Sequence, residues 1–478
     1  MSWRTRHLWV CFVFASTVGF ARAQTPATPP LVVENVAVID CESGKILEQR
    51  SVLVENGKIS AIGNQDEIQL PSGTQRIDGQ GKFLIPGLWD MHIHMVGAGA
   101  LNMCLANGVT GVRDMHAIFP GLIFQFRRET AVGKTPGPRI VAAGAMVDGG
   151  KAVMTGAYTA NNPEEAKKAM EGLAKQGADF VKVYSKLPRD AYLAIVEEAK
   201  KRNLPIAGHV PESVSVVEAS NLGQKSMEHL LGVMTACSSQ EESLRLEQTQ
   251  AMADATLNSG LRLLFRAQDK ALETFDDQKA NALCQLFAKN QTWQVPTLAM
   301  LRATSMLADP AFTADERIKY IPPFVASNWK PTSSLIQFFV ERGAEQKKQY
   351  ERAIALVRKM HQAGVPFLAG TDTPNPYCYA GFTLHDELAL FVDAGFTPLE
   401  SLQTATINAA RYLGEEKNGG SVAPGKIADL VLLDDNPLAD IRNTRKIHAV
   451  IRAGHLYDRA ALDQLLAKAE FKTQAKQK

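Results

Sequence analysis

Leu84-Ile85-Pro86-Gly87-Leu88-Trp89-Asp90-Met91-His92-Ile93-His94 decides the fold: it is an apolar run, broken once by Pro86-Gly87, that ends in two histidines one residue apart. In a strand, residues two apart face the same side, so His92 and His94 point together while Ile93 packs the other way. One strand end thereby offers two imidazoles to one point in space. A His-x-His pair alone is a weak signal. Its weight comes from the rest of the chain, where short apolar runs alternate with helical stretches, at 84–91, 111–114, 139–143, 180–184, 205–209, 225–229, 293–298 and 366–372. Eight such strands predict parallel β/α units and an α/β fold built as a (β/α)8 TIM barrel over residues 83–414. Helices are expected between them at 162–176, 189–202 and 398–413, the first and last opening on Asn-Pro and Thr-Pro.

Outside this region the character changes. Residues 31–40 and 51–63 are β-branched runs, with Asn56-Gly57 a strong hairpin signal, and 428–434 and 449–457 repeat the style near the other end. Residues 31–82 and 415–460 are therefore expected to form one small β-sandwich domain from both chain ends. Two connections, 234–291 and 302–360, exceed what a β/α unit needs and should lie over the barrel mouth. The second carries Tyr320, Phe324, Trp329, Phe338, Phe339 and Tyr350. These aromatics form either the core of added helices or a lid that shapes the substrate site.

Of the ten histidines, His92, His94, His209 and His229 end strands 1, 5 and 6, and Lys182 and Asp372 end strands 4 and 8. The C-terminal strand ends form the catalytic rim of such a barrel. Four imidazoles, a carboxylate and an amine converging there point to a metal site. Weaker substrate-contact candidates are His385, after the strand-8 loop, Tyr184, two residues beyond Lys182, and Arg113 with Asp114 at the end of strand 2. For His385 a capping or core role is the alternative, for Tyr184 packing in a barrel loop, and for Arg113 support of His92 and His94 from behind. His116, His361, His448 and His455 are read as structural or surface residues.

At this point the chain resembles the amidohydrolase superfamily, in its imidazolonepropionase-like and Xaa-Pro dipeptidase-like branch. The resemblance runs through residues 54–59 and 84–94, then Phe180-Val181-Lys182-Val183-Tyr184, Ala207-Gly208-His209-Val210-Pro211 and Ser226-Met227-Glu228-His229-Leu230, to Ala369-Gly370-Thr371-Asp372-Thr373, 408–414 and 422–430. It implies that His92, His94 and Asp372 hold one divalent ion, that His209 and His229 hold a second, and that Lys182, carboxylated to a carbamate, bridges them. Zinc suits this mixed nitrogen and oxygen set, with manganese, cobalt or iron as alternatives. A plain lysine beside a single ion is the other reading of Lys182. The implied activity is hydrolysis of an amide or peptide bond in a small substrate, a dipeptide or N-acyl amino acid, by metal-activated hydroxide with Asp372 as general base and then general acid. A cyclic amide, lactone or other ester is the neighbouring alternative, and an inactive exported binding protein the alternative from another class.

Composition is consistent with a small-molecule partner. Fifty-two basic residues stand against 50 acidic ones, a net charge of +2, with no basic run long enough for nucleic acid. Residues 1–23 have the order of a secretory signal: Arg4, Arg6 and His7, the apolar run 8–20, then Ala21-Arg22-Ala23. A periplasmic or secreted protein without a membrane anchor is expected, and homo-oligomers are compatible with it. Beyond the leader, Cys41, Cys104, Cys237, Cys284 and Cys378 show no disulfide or zinc-knuckle spacing and are expected to be buried small hydrophobes.

Overall fold

The computed structural model describes residues 29–151, 154–252, 257–330 and 332–471; the expected signal sequence lies outside them. Strands β1 (Leu31–Ile39), β2 (Ile46–Glu55), β3 (Lys58–Gly63), β4 (Gln75–Asp78) and β5 (Phe83–Pro86) join three strands from the other end, β15 (Leu430–Leu433), β16 (Ile447–Arg452) and β17 (His455–Asp458), in one eight-stranded sheet. The hairpin between β2 and β3 turns on Asn56-Gly57, both at positive φ, with Glu55 paired to Lys58. This is the two-residue turn that matches the twist of flanking strands. Val33, Val52, Ile59, Leu84, Leu430 and Ile451 form the core of this unit.

Parallel strands carry the middle of the chain. β6 (Leu88–Ile93), β7 (Val109–Asp114) and β8 (Arg139–Ala142) form one sheet; β9 (Val147–Asp148), β10 (Tyr158–Thr159), β11 (Val181–Val183), β12 (Ile206–Gly208), β13 (Ser226–Glu228) and β14 (Trp293–Val295) form another. The expected strand 366–372, together with Thr373 just after it, makes single parallel bridges on each side, Phe367 to Gln294 of β14 and Thr373 to Ile93 of β6. The intervening helices cover the strands. They are α/β units as the sequence pattern requires.

Two sequence expectations change. The run 84–91 is not one strand: Phe83–Pro86 pairs with β1 and β15 in the terminal sheet, and only Leu88–Ile93 pairs with β7. The helix expected at 398–413 divides into Pro398–Thr404 and Ile407–Leu413. The backbone carbonyls of Thr404 and Ala405 accept hydrogen bonds from Ala369 and Trp89, and this diverts them from the helical ladder. By contrast, Pro163–Gln176 begins where expected, with Asn162 accepting from the Glu165 amide and Gly177 closing the helix at φ 78°. All five described cysteines are buried and free.

Candidate metal centre

β6 delivers His92, fully buried, and His94 follows one residue past the strand end. Segment 366–373 lies alongside and brings Asp372 to both. One carboxylate oxygen, Oδ1, sits 3.3 Å from His92 Nε2 and 3.2 Å from His94 Nε2. From the second sheet come Lys182 on β11, His209 just after β12 and His229 just after β13. The His229 ring lies 4.4 Å from that of His92 and 5.1 Å from that of His209. Lys182 is 1% exposed. All six expected ligands line one cavity, and donor atoms of His92, His229 and Asp372 lie within 4.8 Å of one another.

The local backbone is shaped to bring them there. At Gly370 an added Cβ would lie 2.6 Å from Val295 Cγ1, 2.7 Å from His92 Cβ and 2.9 Å from His92 N, so only glycine lets this segment press against β6. His229 and Asp372 are held at φ 62° and 54°, a left-handed conformation that costs a non-glycine residue about 1–2 kcal/mol. Asp90 ties the same two elements together. Its carboxylate accepts from the amides of His92 and Thr371 and, at 2.6 Å, from the Thr371 hydroxyl.

Each imidazole is fixed through Nδ1. His92 Nδ1 donates to Glu228 at 2.7 Å and His94 Nδ1 to the His116 carbonyl at 3.0 Å. His209 Nδ1 meets the Ser185 hydroxyl at 2.9 Å and His229 Nδ1 the Thr297 hydroxyl at 2.8 Å. A carboxylate and a carbonyl can only accept, so His92 and His94 carry a proton on Nδ1, and in the neutral form each turns its Nε2 lone pair toward the ring. His92 Nε2 is buried with no hydrogen-bond partner. An orphaned lone pair in a set of imidazoles and one carboxylate is what a divalent cation satisfies, so the residues fit the metal that the sequence pattern implies.

Glu228, to which the sequence pattern assigns no role, is the anchor of the ring. It accepts from His92, from the Ser226 hydroxyl at 2.6 Å and from Arg113 Nη2 at 3.0 and 3.2 Å, all of them buried. Burial alone would raise its pKa, but Arg113 and the bond from His92 more than offset this and hold it well below the carboxylate range. The available signal was the period of two, which turns Ser226 and Glu228 of β13 to one side. Arg113 is therefore not a substrate contact: it is fully buried beneath the ring, bonded also to the Met91 carbonyl and the Tyr412 hydroxyl. The alternative of support from behind holds.

Burial drives Lys182, His229 and Asp90 toward their neutral forms, while Asp372 raises His94 against it. Lys182 falls to about 8, with Glu228 and Asp372 opposing the drop, and His229 falls to about 3. Burial pushes Asp90 up to about 7 against its hydrogen bonds. Asp372 goes the other way: burial would raise it, but His229 and His92 hold it well below its usual value.

A cavity of about 470 Å³ opens over the ring and is lined by His92, His94, Lys182, His209, His229 and Asp372 at its floor. Tyr184 stands in its wall, stacked on His209 at 4.0 Å, as a substrate contact requires. His116 also reaches the wall, while bonding the Thr155 carbonyl and the Met146 amide. His385 does not reach it. Its ring is buried between the Thr444 hydroxyl and the Asn107 carbonyl, a core role that overturns the substrate-contact expectation. Both long connections supply wall residues, Met252, Phe265 and Gln268 from the first, Thr304, Leu307 and Phe339 from the second. Tyr320, Trp329 and Phe338 are instead buried in core clusters, and Phe324 is exposed.

The chain belongs to the amidohydrolase family, which it matches over residues 83–457, and is a hydrolase acting on carbon–nitrogen bonds. It is similar to the ochratoxinase of Aspergillus niger, at 22% identity over 85% of this chain and 82% of that protein, and to the imidazolonepropionase of Deinococcus deserti, at 26% over 89% and 94%. Among solved structures, a bottromycin amidohydrolase superposes with a TM-score of 0.72 at 22% identity, over 92% of this chain and 90% of that one. A Xaa-Pro dipeptidase with methionine in its active site does so at 0.64 and 21%, over 90% and 100%. At these identities the structures establish a shared fold.

Proposed function

We propose that the ring holds two divalent ions, zinc fitting the donor set best, and hydrolyses an amide bond in a small molecule. His92, His94 and Asp372 would hold one ion, His209 and His229 the other, with Lys182 between them. The observation that carries this is the orientation of the imidazoles, each pinned at Nδ1 by a neighbour, with the buried His92 Nε2 left unpartnered. When bound, the ions supply Lewis acidity that makes water a nucleophile at neutral pH and polarises the scissile carbonyl.

The chain's own residues do the rest. Asp372, buried apart from 13% of its side chain, faces the cavity, accepts the proton of the attacking water and returns it to the departing nitrogen. Burial lowers the amine of Lys182 to about 8, so this residue gives up its proton more readily than an exposed lysine. Its amine can add to carbon dioxide with loss of a proton, and the resulting carbamate offers two anionic oxygens where an ammonium offers none. Tyr184 and the cavity wall orient the substrate.

Dipeptides and N-acyl amino acids are the first substrate classes to try, and the similarity to a dipeptidase fold supports that choice. A cyclic amide or lactone is the second reading, favoured by the 26% identity with an imidazolonepropionase. Parallel strands bridged on both sides by segment 366–373 support a (β/α)8 barrel, with the terminal strands as its companion β-sandwich. The leader at 1–23 supports export to the periplasm or medium. The test is metal analysis of purified protein with kcat/KM for dipeptides, N-acyl amino acids and lactones, before and after Asp372→Asn. Absence of stoichiometric metal, with full amide hydrolysis by the variant, would refute it. Metal-dependent turnover would exclude an inactive binding protein.

A further inference from the structure

Apart from the ring, the cavity wall is mostly apolar, with His116, Tyr184, Ser185, Gln268, Thr304 and Asn375 as its polar members. Met146, Met252, Phe265, Met300, Leu307 and Phe339 surround the space above the ring. Among the described lining residues the only charged side chains besides the histidines are Lys182 and Asp372, both at the floor and both within the ring. No arginine and no second lysine is among them. A dipeptide carries an ammonium and a carboxylate flanking its scissile bond, and an N-acyl amino acid carries a carboxylate. Either would bury a charge against methionine and phenylalanine, with no counter-charge among the described lining residues outside the ring.

The rim continues the apolar wall outward. Val96, Ile118 and Phe119 line the same cavity and are 58%, 42% and 72% exposed. Large hydrophobics exposed singly are ordinary, but three contiguous with an apolar cavity mark a surface that a ligand covers. Several of the wall residues are methionines, whose unbranched, polarizable side chains adapt to ligands of irregular shape.

We infer that the substrate is an amide whose bulk is apolar and that has no charged group beside the scissile bond: a long-chain or aryl acyl amide, its acyl group filling the cavity and leaving along Val96, Ile118 and Phe119. This rests on the hydrolase reading above and, among the small amides that reading admits, ranks neutral acyl amides ahead of dipeptides and N-acyl amino acids.

The test uses the full-length, metal-replete protein and two matched series, N-acyl phenylalaninamides and N-acyl phenylalanines with acyl chains of two, six and ten carbons, plus Ala-Ala. Each buried methylene is worth at most about fourfold. The amide series should therefore rise by a hundredfold or more in kcat/KM from two to ten carbons, and each amide should exceed its free acid by about tenfold or more. Phe119→Ser, at an exposed position where folding is preserved, should cut the ratio between ten- and two-carbon substrates by about tenfold, and n-alkanols should inhibit more strongly with length. A flat series, or Ala-Ala turned over as well as the ten-carbon amide, overturns the inference and leaves the hydrolase intact. No turnover of any substrate by metal-loaded protein overturns the hydrolase reading and this inference with it.

Discussion

Replacing Glu228 with glutamine should weaken both the fold and the metal site. The carboxylate is the sole anion within reach of Arg113 among its described partners, touching Nη2 at 3.0 and 3.2 Å, and it holds His92 Nδ1 at 2.7 Å. Arg113 and Glu228 are both essentially inaccessible to water. Glutamine keeps the volume and one acceptor oxygen but removes the charge. The guanidinium is then left with the neutral Met91 carbonyl and the Ser226 and Tyr412 hydroxyls. Removing one member of a buried ion pair costs about 3–5 kcal/mol, most of it the uncompensated charge that remains. His92 loses the anionic acceptor that fixes its tautomer, and losses of that kind reduce metal affinity by about 10–100-fold. Chemical unfolding of metal-free protein reads the first effect, and competition for metal with a chromophoric chelator reads the second. A variant that unfolds within about 0.5 kcal/mol of wild type and holds metal within twofold of it would refute the role given to Glu228.

Gly370→Ala should lower metal affinity at least tenfold and cost about 1–3 kcal/mol, because the new methyl meets the His92 backbone at 2.9 Å and cannot be relieved by a side-chain rotation; an unchanged affinity would contradict this. Lys182→Met should leave one ion per chain by elemental analysis, and bicarbonate should accelerate metal reloading of stripped wild type but not of the variant. His385→Ala should cost about 2–4 kcal/mol in unfolding, yet leave kcat/KM per folded molecule unchanged; a tenfold drop would return it to the substrate site. Glu212→Gln tests pH linkage. Burial raises the Glu212 carboxyl to about 7 despite Arg245, while the unfolded chain ionises near 4.3, so the native state's advantage is full below about pH 4 and is lost as pH rises through 7. The variant should thus gain on wild type by about 3 kcal/mol between pH 4 and 8, and a difference that does not change with pH would contradict the assignment.

The parallel strands, and the residues that end them, could be read from the sequence because period-two patterning and strand ends are local properties. That is why His92, His94, Lys182, His209, His229 and Asp372 are legible there and do converge. The features that escape a sequence reading depend on contacts distant along the chain. Glu228 gains its role from Arg113, 115 positions earlier, and nothing local to β13 announces that partner. The choice between the two readings of His385 has the same origin: helix Phe382–Asp393 follows the loop after Asp372, but which face it turns inward is decided by its packing against residues 441–445. The division of 84–91 was hidden because an apolar run reads the same whichever sheet its halves join.

The most direct test of the central claim is elemental analysis of the purified protein coupled to a chelation and reload assay on an amide substrate. The account predicts two equivalents of divalent metal per chain, loss of hydrolysis as they are removed and recovery as they return. Full hydrolysis by protein containing no stoichiometric metal would contradict it.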